Sequence, residues 1–167
     1  LPNQDLSGHL MIQPHEIPSR VTHLHLLHAS MLHSDKPFMG STNGAEGAQH
    51  TMEMIEILLG AKPERPFTIG LINSLSPLSF STDMLEALIA YAQSRQPVII
   101  SSLIMAGSTG PITLAGVLAQ QNAEILAGIV LAQLIQPGLP LLYGSASTII
   151  DMRTGELTIG SPEQSLG

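Results

Sequence analysis

Three features of this sequence predict an α/β chain built from parallel βα repeats. Short apolar stretches recur at residues 36–41, 67–74, 98–104 and 139–145. Each leads into a loop of small residues and then an amphipathic helical pattern. The clearest stretch, Val98-Ile99-Ile100-Ser101-Ser102-Leu103-Ile104, is β-branched and apolar on both faces. A strand of that kind belongs inside a parallel sheet with helices on both sides.

Taken in order, residues 1–19 are polar and Pro-rich, an extended lead-in. Val21, Leu24, Leu27, Ala29, Met31 and Leu32 predict a helix over 19–34 with Ser19 as its N-cap. Lys36-Pro37 ends it, because a residue before proline avoids helical torsions. A short strand at 38–41 leads through Thr42-Asn43-Gly44-Ala45 into a helix over 46–59, stopped by Gly60. The second strand, 67–74, is followed by the loop 74–78 and a helix capped by Ser81 or Thr82. Asp83 and Glu86 give that helix start the sign its dipole favours. After the third strand, Pro111 suits the first turn of a helix reaching Gln136, about 39 Å long at the usual rise per residue. A break near 120–122 is expected in it. Pro137-Gly138 stops it, and 139–145 forms the fourth strand. The tail at 151–156 reads as a turn, and Gly160-Ser161-Pro162-Glu163 as the start of a helix.

The organisation predicted is a lead-in and helix over residues 1–36, then about four βα units over 37–167. Four parallel strands without a charged edge strand would expose apolar edges, which proteins avoid. An open doubly wound sheet and a closed barrel share this pattern. The edge argument favours part of a TIM (β/α)8 barrel.

Composition narrows the function. Charged residues make up 11% of the 167 and hydrophobic ones 44%, which suits a piece of something larger or a homo-oligomer. A net charge of −7 with only six Lys and Arg argues against nucleic acid as a partner. The absence of cysteine removes disulfides and thiolate metal sites. The first residues carry no basic or apolar leader, so a cytoplasmic location is expected. The apolar tract 112–135 is interrupted by Gln120-Gln121-Asn122 and Glu124, which argues against a membrane span.

Two runs carry a family likeness. They are Asn73-Ser74-Leu75-Ser76-Pro77-Leu78 and Ser102-Leu103-Ile104-Met105-Ala106-Gly107-Ser108-Thr109-Gly110-Pro111. With Leu141-Leu142-Tyr143-Gly144-Ser145-Ala146-Ser147 and Gly160-Ser161-Pro162-Glu163, the chain resembles the trimethylamine methyltransferase family from about residue 36 onward. The resemblance implies a (β/α)8 barrel about three times this length. It further implies methyl transfer from a methylated tertiary or quaternary amine to the cobalt of a separate corrinoid protein. By the same resemblance no cofactor is bound directly, the corrinoid (cobalamin) being held by the partner. Some members of the family carry pyrrolysine in a later part of the barrel, and others act on quaternary amines such as glycine betaine. This segment alone is expected to be inactive.

In a barrel the site is built from loops after the strands. That selects Ser41 and Asn43, then Asn73 and Ser76, Ser102 and Met105, and Tyr143 and Ser145, each also fit for local capping. Tyr143 is singled out because a quaternary ammonium, having no hydrogen to donate, is held best by an aromatic face. Its alternative is a ring packed under a helix with the hydroxyl paired. Asp151, after the fourth strand, is a candidate countercharge. Ser108, Thr109 and Gly110 precede a helix and are candidates for holding an anion, or form an ordinary helix start. Of the clustered His23, His25, His28 and His33, only His25 and His28 share ligand spacing, and no acid lies among them, so no metal is expected. No nucleophilic triad or carboxylate pair can be assembled, and catalytic residues stay unassigned. Two other readings remain open: a different barrel enzyme with its catalytic groups elsewhere, and a non-enzymatic module binding a small cation.

Overall fold

The computed structural model describes Leu6, Gly8, residues 14–162 and Gln164. Most of the predicted lead-in lies outside the described residues. The elements run α1 (Ser19–His33), β1 (Phe38–Met39), α2 (Gly44–Leu59), β2 (Thr68–Asn73), α3 (Thr82–Gln93), β3 (Val98–Ser102) and β4 (Met105–Ala106). They continue with α4 (Leu114–Ile135), β5 (Leu141–Ser145), β6 (Thr148–Ile150) and β7 (Leu157–Thr158). Strands β1, β2, β3 and β5 form one sheet in that spatial order, every pair parallel. The parallel α/β reading therefore holds, with neighbours in sequence adjacent in space.

Sequence period decides which face each strand side chain takes. Thr68, Gly70 and Ile72 in β2 and Val98, Ile100 and Ser102 in β3 alternate towards the helices and are buried. Register carries the same parity across the sheet, pairing Val98 with Leu141, Ile100 with Tyr143 and Ser102 with Ser145. The opposite face carries Ile69, Leu71, Asn73, Ile99 and Leu142, of which Leu142 is 48% exposed. That face is covered in part: Ile69, Leu71 and Ile99 are half-buried and Ser101 is buried, while Asn73 and Leu142 are exposed.

The helix side holds the core: Ile72, Leu88, Tyr91, Val98, Ile100, Ile125 and their neighbours. Tyr91 keys three units together. Its ring lies about a Cβ's breadth above Gly70 of β2, and its hydroxyl donates to the Ser41 carbonyl at 3.0 Å. Gly128 lets α4 approach β3, since a Cβ there would meet Ile100 at 2.8 Å. A smaller cluster of Leu27, Phe38 and Ile55 fastens α1 to α2.

Several boundaries differ from expectation, each for a local reason. The cap of α1 is Pro18, whose carbonyl takes the Val21 amide and the Thr22 hydroxyl, so Ser19 is already helical. Helix α2 starts at Gly44 rather than 46. Gly60 closes it in the left-handed conformation, as predicted, and Ser81 caps α3 by accepting from the Met84 amide. Helix α4 is unbroken over 22 residues and starts after Pro111, with Thr113 as cap. No break occurs at 120–122 because that polar run finds partners, described below. The fourth strand of the sheet starts at Leu141, since Leu139 still bonds Gln136 and closes the helix end.

A second, three-stranded sheet was not foreseen: β4 pairs parallel with β6 and β6 antiparallel with β7. Its strands are two or three residues long, too short to show a period. The predicted turn at 151–156 connects β6 to β7, and Ser161 accepts from the Gln164 amide as a helix start would. By length and hydropathy α4 could cross a membrane. Here one side of it packs on the sheet through Val117, Gln121, Glu124, Ile125, Gly128 and Ala132.

Candidate functional site

The loops after β2 and β3 converge on one carboxylate. Glu124 lies on the sheet-facing side of α4, 2% exposed. Its Oε2 accepts the hydroxyls of Ser74 at 2.6 Å, Ser76 at 2.8 Å and Ser102 at 2.8 Å. Its Oε1 accepts the Leu78 amide at 2.8 Å and the Gln120 side-chain amide at 2.9 Å. Gln120 also donates to the Thr109 carbonyl at 3.2 Å, so the loop before α4 joins the same assembly. Burial pushes the Glu124 carboxyl up, but the bonds from Ser74, Leu78, Gln120 and Ser76 outweigh it and hold the pKa at about 2. The group is an anion held by neutral donors, and neither ion pair among the described residues includes it.

Of the residues picked from sequence, Ser76 and Ser102 meet at Glu124. Asn73, next to Ser74, ends β2 exposed on the sheet face away from the helices. Ser145 turns to the helix side and donates to Oε1 of the buried Gln121 at 2.7 Å. Tyr143, register partner of Ile100, also lies on the helix side, with its hydroxyl 3.4 Å from Oδ1 of Asn122. The residue is 50% exposed there. Met105 sits in β4, half-buried. Asp151 is in the β6–β7 turn, its carboxylate accepting the Arg153 amide at 2.8 Å, apart from the groups around Glu124.

At the candidate anion-binding turn Ser108, Thr109 and Gly110, two amides are used within the turn. The Ser108 and Thr109 amides donate to the Met105 carbonyl at 2.9 and 3.0 Å, and the Thr109 hydroxyl accepts the Met105 amide. The turn consumes its own donors, and α4 begins beyond it. Ser41 and Asn43 likewise serve the backbone: Ser41 accepts from the Asn43 amide and takes the Tyr91 hydroxyl on its carbonyl. Among the described residues no three His, Asp or Glu side chains gather to hold a metal.

Glu124 and Gln120 are the site residues that reading in order missed. The signal was present: Gln120, Gln121 and Glu124 recur at helical spacing inside an otherwise apolar helix, which places them on one side. A cavity of about 390 Å³ opens beside them, between the start of α4 and the small sheet. It is lined mainly by Ala106, Ile112, Val117, Ile149 and Met152, with Gln121 at its polar edge.

Comparison with known proteins fits this geometry to a family. The family model described as Trimethylamine methyltransferase (MTTB) matches residues 1–167. A glycine betaine methyltransferase of Desulfitobacterium hafniense (strain Y51) is 54% identical over 98% of this chain and 35% of its own length. The proline betaine:corrinoid methyltransferase of Eubacterium limosum is 44% identical over 62% of the chain and 21% of its own length. The trimethylamine methyltransferase MttB1 of Methanosarcina mazei is 36% identical over 72% and 25%. The chain thus spans about a third or less of these relatives. It belongs to the trimethylamine methyltransferase family.

Proposed function

We propose that this chain is one part of a (β/α)8 barrel that takes a methyl group from a quaternary amine of the betaine type and passes it to a partner's corrinoid. The carrying observation is the 54% identity, along nearly the whole chain, to a protein named for glycine betaine. The sheet supports the barrel. A parallel sheet is ordinarily covered on both faces, yet of Ile69, Leu71, Ile99 and Leu142 on this face none is fully buried, and Leu142 is 48% exposed. Further staves of the same barrel would close over it and place Asn73 and the following loops at the rim.

The corrinoid would supply the methyl-accepting metal, and the match to a protein named for corrinoid transfer supports that partner. The apolar side chains exposed after the strands, Leu75, Leu78 and Leu103, fit contact with a partner at the rim. No nucleophile is then required of this chain. Its residues bind and orient: Asn73 has an amide free to meet a substrate carboxylate, and the trimethylammonium head needs shape and negative potential rather than a hydrogen-bond acceptor. The test is methyl transfer to cob(I)alamin from a panel of methylated amines, using the complete protein. Transfer from glycine betaine is expected. Failure with every quaternary amine would overturn the reading.

A further inference from the structure

We infer that Glu124 is the fixed countercharge for the cationic head of the substrate, which deepens the proposed function and rests on it. Four observations lead there. The carboxylate is the sole acidic residue between Glu86 and Asp151, and it is buried at the ends of β2 and β3 where the site is proposed. Among the described residues it has no cationic partner: its five bonds come from hydroxyls, one backbone amide and one side-chain amide. The sole base in the same span, Arg95, precedes β3, so it lies at the opposite strand end from Ser102 and Glu124. Finally, Ser74, which holds the carboxylate, directly follows Asn73, which is exposed on the sheet face away from the helices.

Burying a charge is costly unless it is compensated. The donors satisfy the oxygens' lone pairs without cancelling the charge. Its field therefore extends through the strand ends, in surroundings that screen it poorly. A methylated ammonium placed over Asn73 completes the pair. The donor cage also stops the carboxylate from moving up to attack the substrate, and a quaternary ammonium offers it no hydrogen, so its contribution is potential alone. Selectivity for a cation over a neutral molecule of the same shape follows.

The experiment compares two ligands on the complete protein by calorimetry: glycine betaine, and tert-butylacetate, which keeps the carboxylate and replaces the trimethylammonium by an uncharged group of like shape. Wild type is expected to prefer the cation. In Glu124→Gln the betaine Kd should rise on the order of tenfold while that of tert-butylacetate stays within about twofold, the signature of a lost charge. Glu124→Asp, which keeps the charge, should keep the preference. If Glu124→Gln does not fold, the same change with Ser74→Ala and Ser102→Ala, which removes the stranded hydroxyls, replaces it. Equal losses for both ligands, or none, would overturn the countercharge and leave the proposed function standing. A wild type that binds neither ligand would take down both.

Discussion

Ser102, the last residue of β3, donates its hydroxyl to Oε2 of Glu124, 22 positions further on, at 2.8 Å. With Ser74 on the same oxygen at 2.6 Å, one helix carboxylate ties the ends of two neighbouring strands. Removing it strands three hydroxyls and the Leu78 amide in a buried place. Glu124→Ala should therefore cost about 2 to 4 kcal/mol in urea unfolding, since unmade bonds to a buried charged group are costly. A loss under about 0.5 kcal/mol, the range of an ordinary surface change, would contradict the role.

The same cage predicts a pH dependence. Its folded pKa of about 2 lies below the ordinary value of 4.5, so the unfolded chain binds the proton first as pH falls. The stabilisation is complete above pH 4.5 and drains away as pH falls towards about 2. Over that window wild type should lose on the order of 3 kcal/mol more than Glu124→Gln. Parallel pH profiles for the two proteins would show that the carboxylate is not held ionised.

Gly40 and Tyr91 make a second pair. A Cβ on Gly40 would fall on the Tyr91 hydroxyl and within 2.6 Å of the Thr51 methyl. Gly40→Ala should destabilise by about 1 to 3 kcal/mol, as overpacking does in a closed core. Tyr91→Phe removes the nearest obstructing atom, along with its bond to the Ser41 carbonyl. The double variant should recover roughly 1 kcal/mol relative to additivity, measured as a double-mutant cycle. Strict additivity would mean that the backbone shifts instead.

Tyr143 tests how a strand end is read. Its helix-side register and the long 3.4 Å contact to Asn122 assign the hydroxyl little importance. In the complete protein, Tyr143→Phe should change stability by less than about 0.5 kcal/mol and leave betaine affinity unaltered. A marked loss of affinity would assign the hydroxyl a part in binding, and Tyr143→Ala, which removes the ring, tests the aromatic wall separately.

The main sheet was legible because β2 and β3 carry β-branched runs between clear turns, and Gly60 and Ser81 are strong local punctuation. What escaped was non-local. Glu124 meets Ser74 across 50 positions, and no spacing rule spans a strand, a helix and another strand. Its polar neighbours looked like a helix break because hydropathy along the chain cannot tell an interruption from a buried polar face. Tyr143 and Ser145 were chosen by proximity to a strand end, but which side they take depends on register with Ile100 and Ser102. That the turn after β4 directs the Ser108 and Thr109 amides to Met105 is a matter of torsions rather than composition.

The histidines of α1 supply the last prediction. His23 is 7% exposed, with its Nε2 3.0 Å from Nδ1 of His50 on α2 and the rings stacked. Burial lowers the His23 pKa below 6.5, the neighbouring His50 lowers it further, and Glu46, whose carboxylate lies 3.9 Å from Nε2 of His50, pulls it partly back. A histidine kept neutral in the fold favours the folded state above pH 6.5 and loses that advantage as pH falls below it. The hold of α1 on α2 should weaken with acidification while the main sheet, which has no histidine, keeps its protection. Amide exchange followed at Leu27 of α1 and Ile100 of β3 separates the two. Exchange at Leu27 should accelerate in the window below pH 6.5, beyond the intrinsic pH effect, and His23→Leu should abolish that excess. If Leu27 and Ile100 respond alike at every pH, the histidine pair carries no load in holding α1.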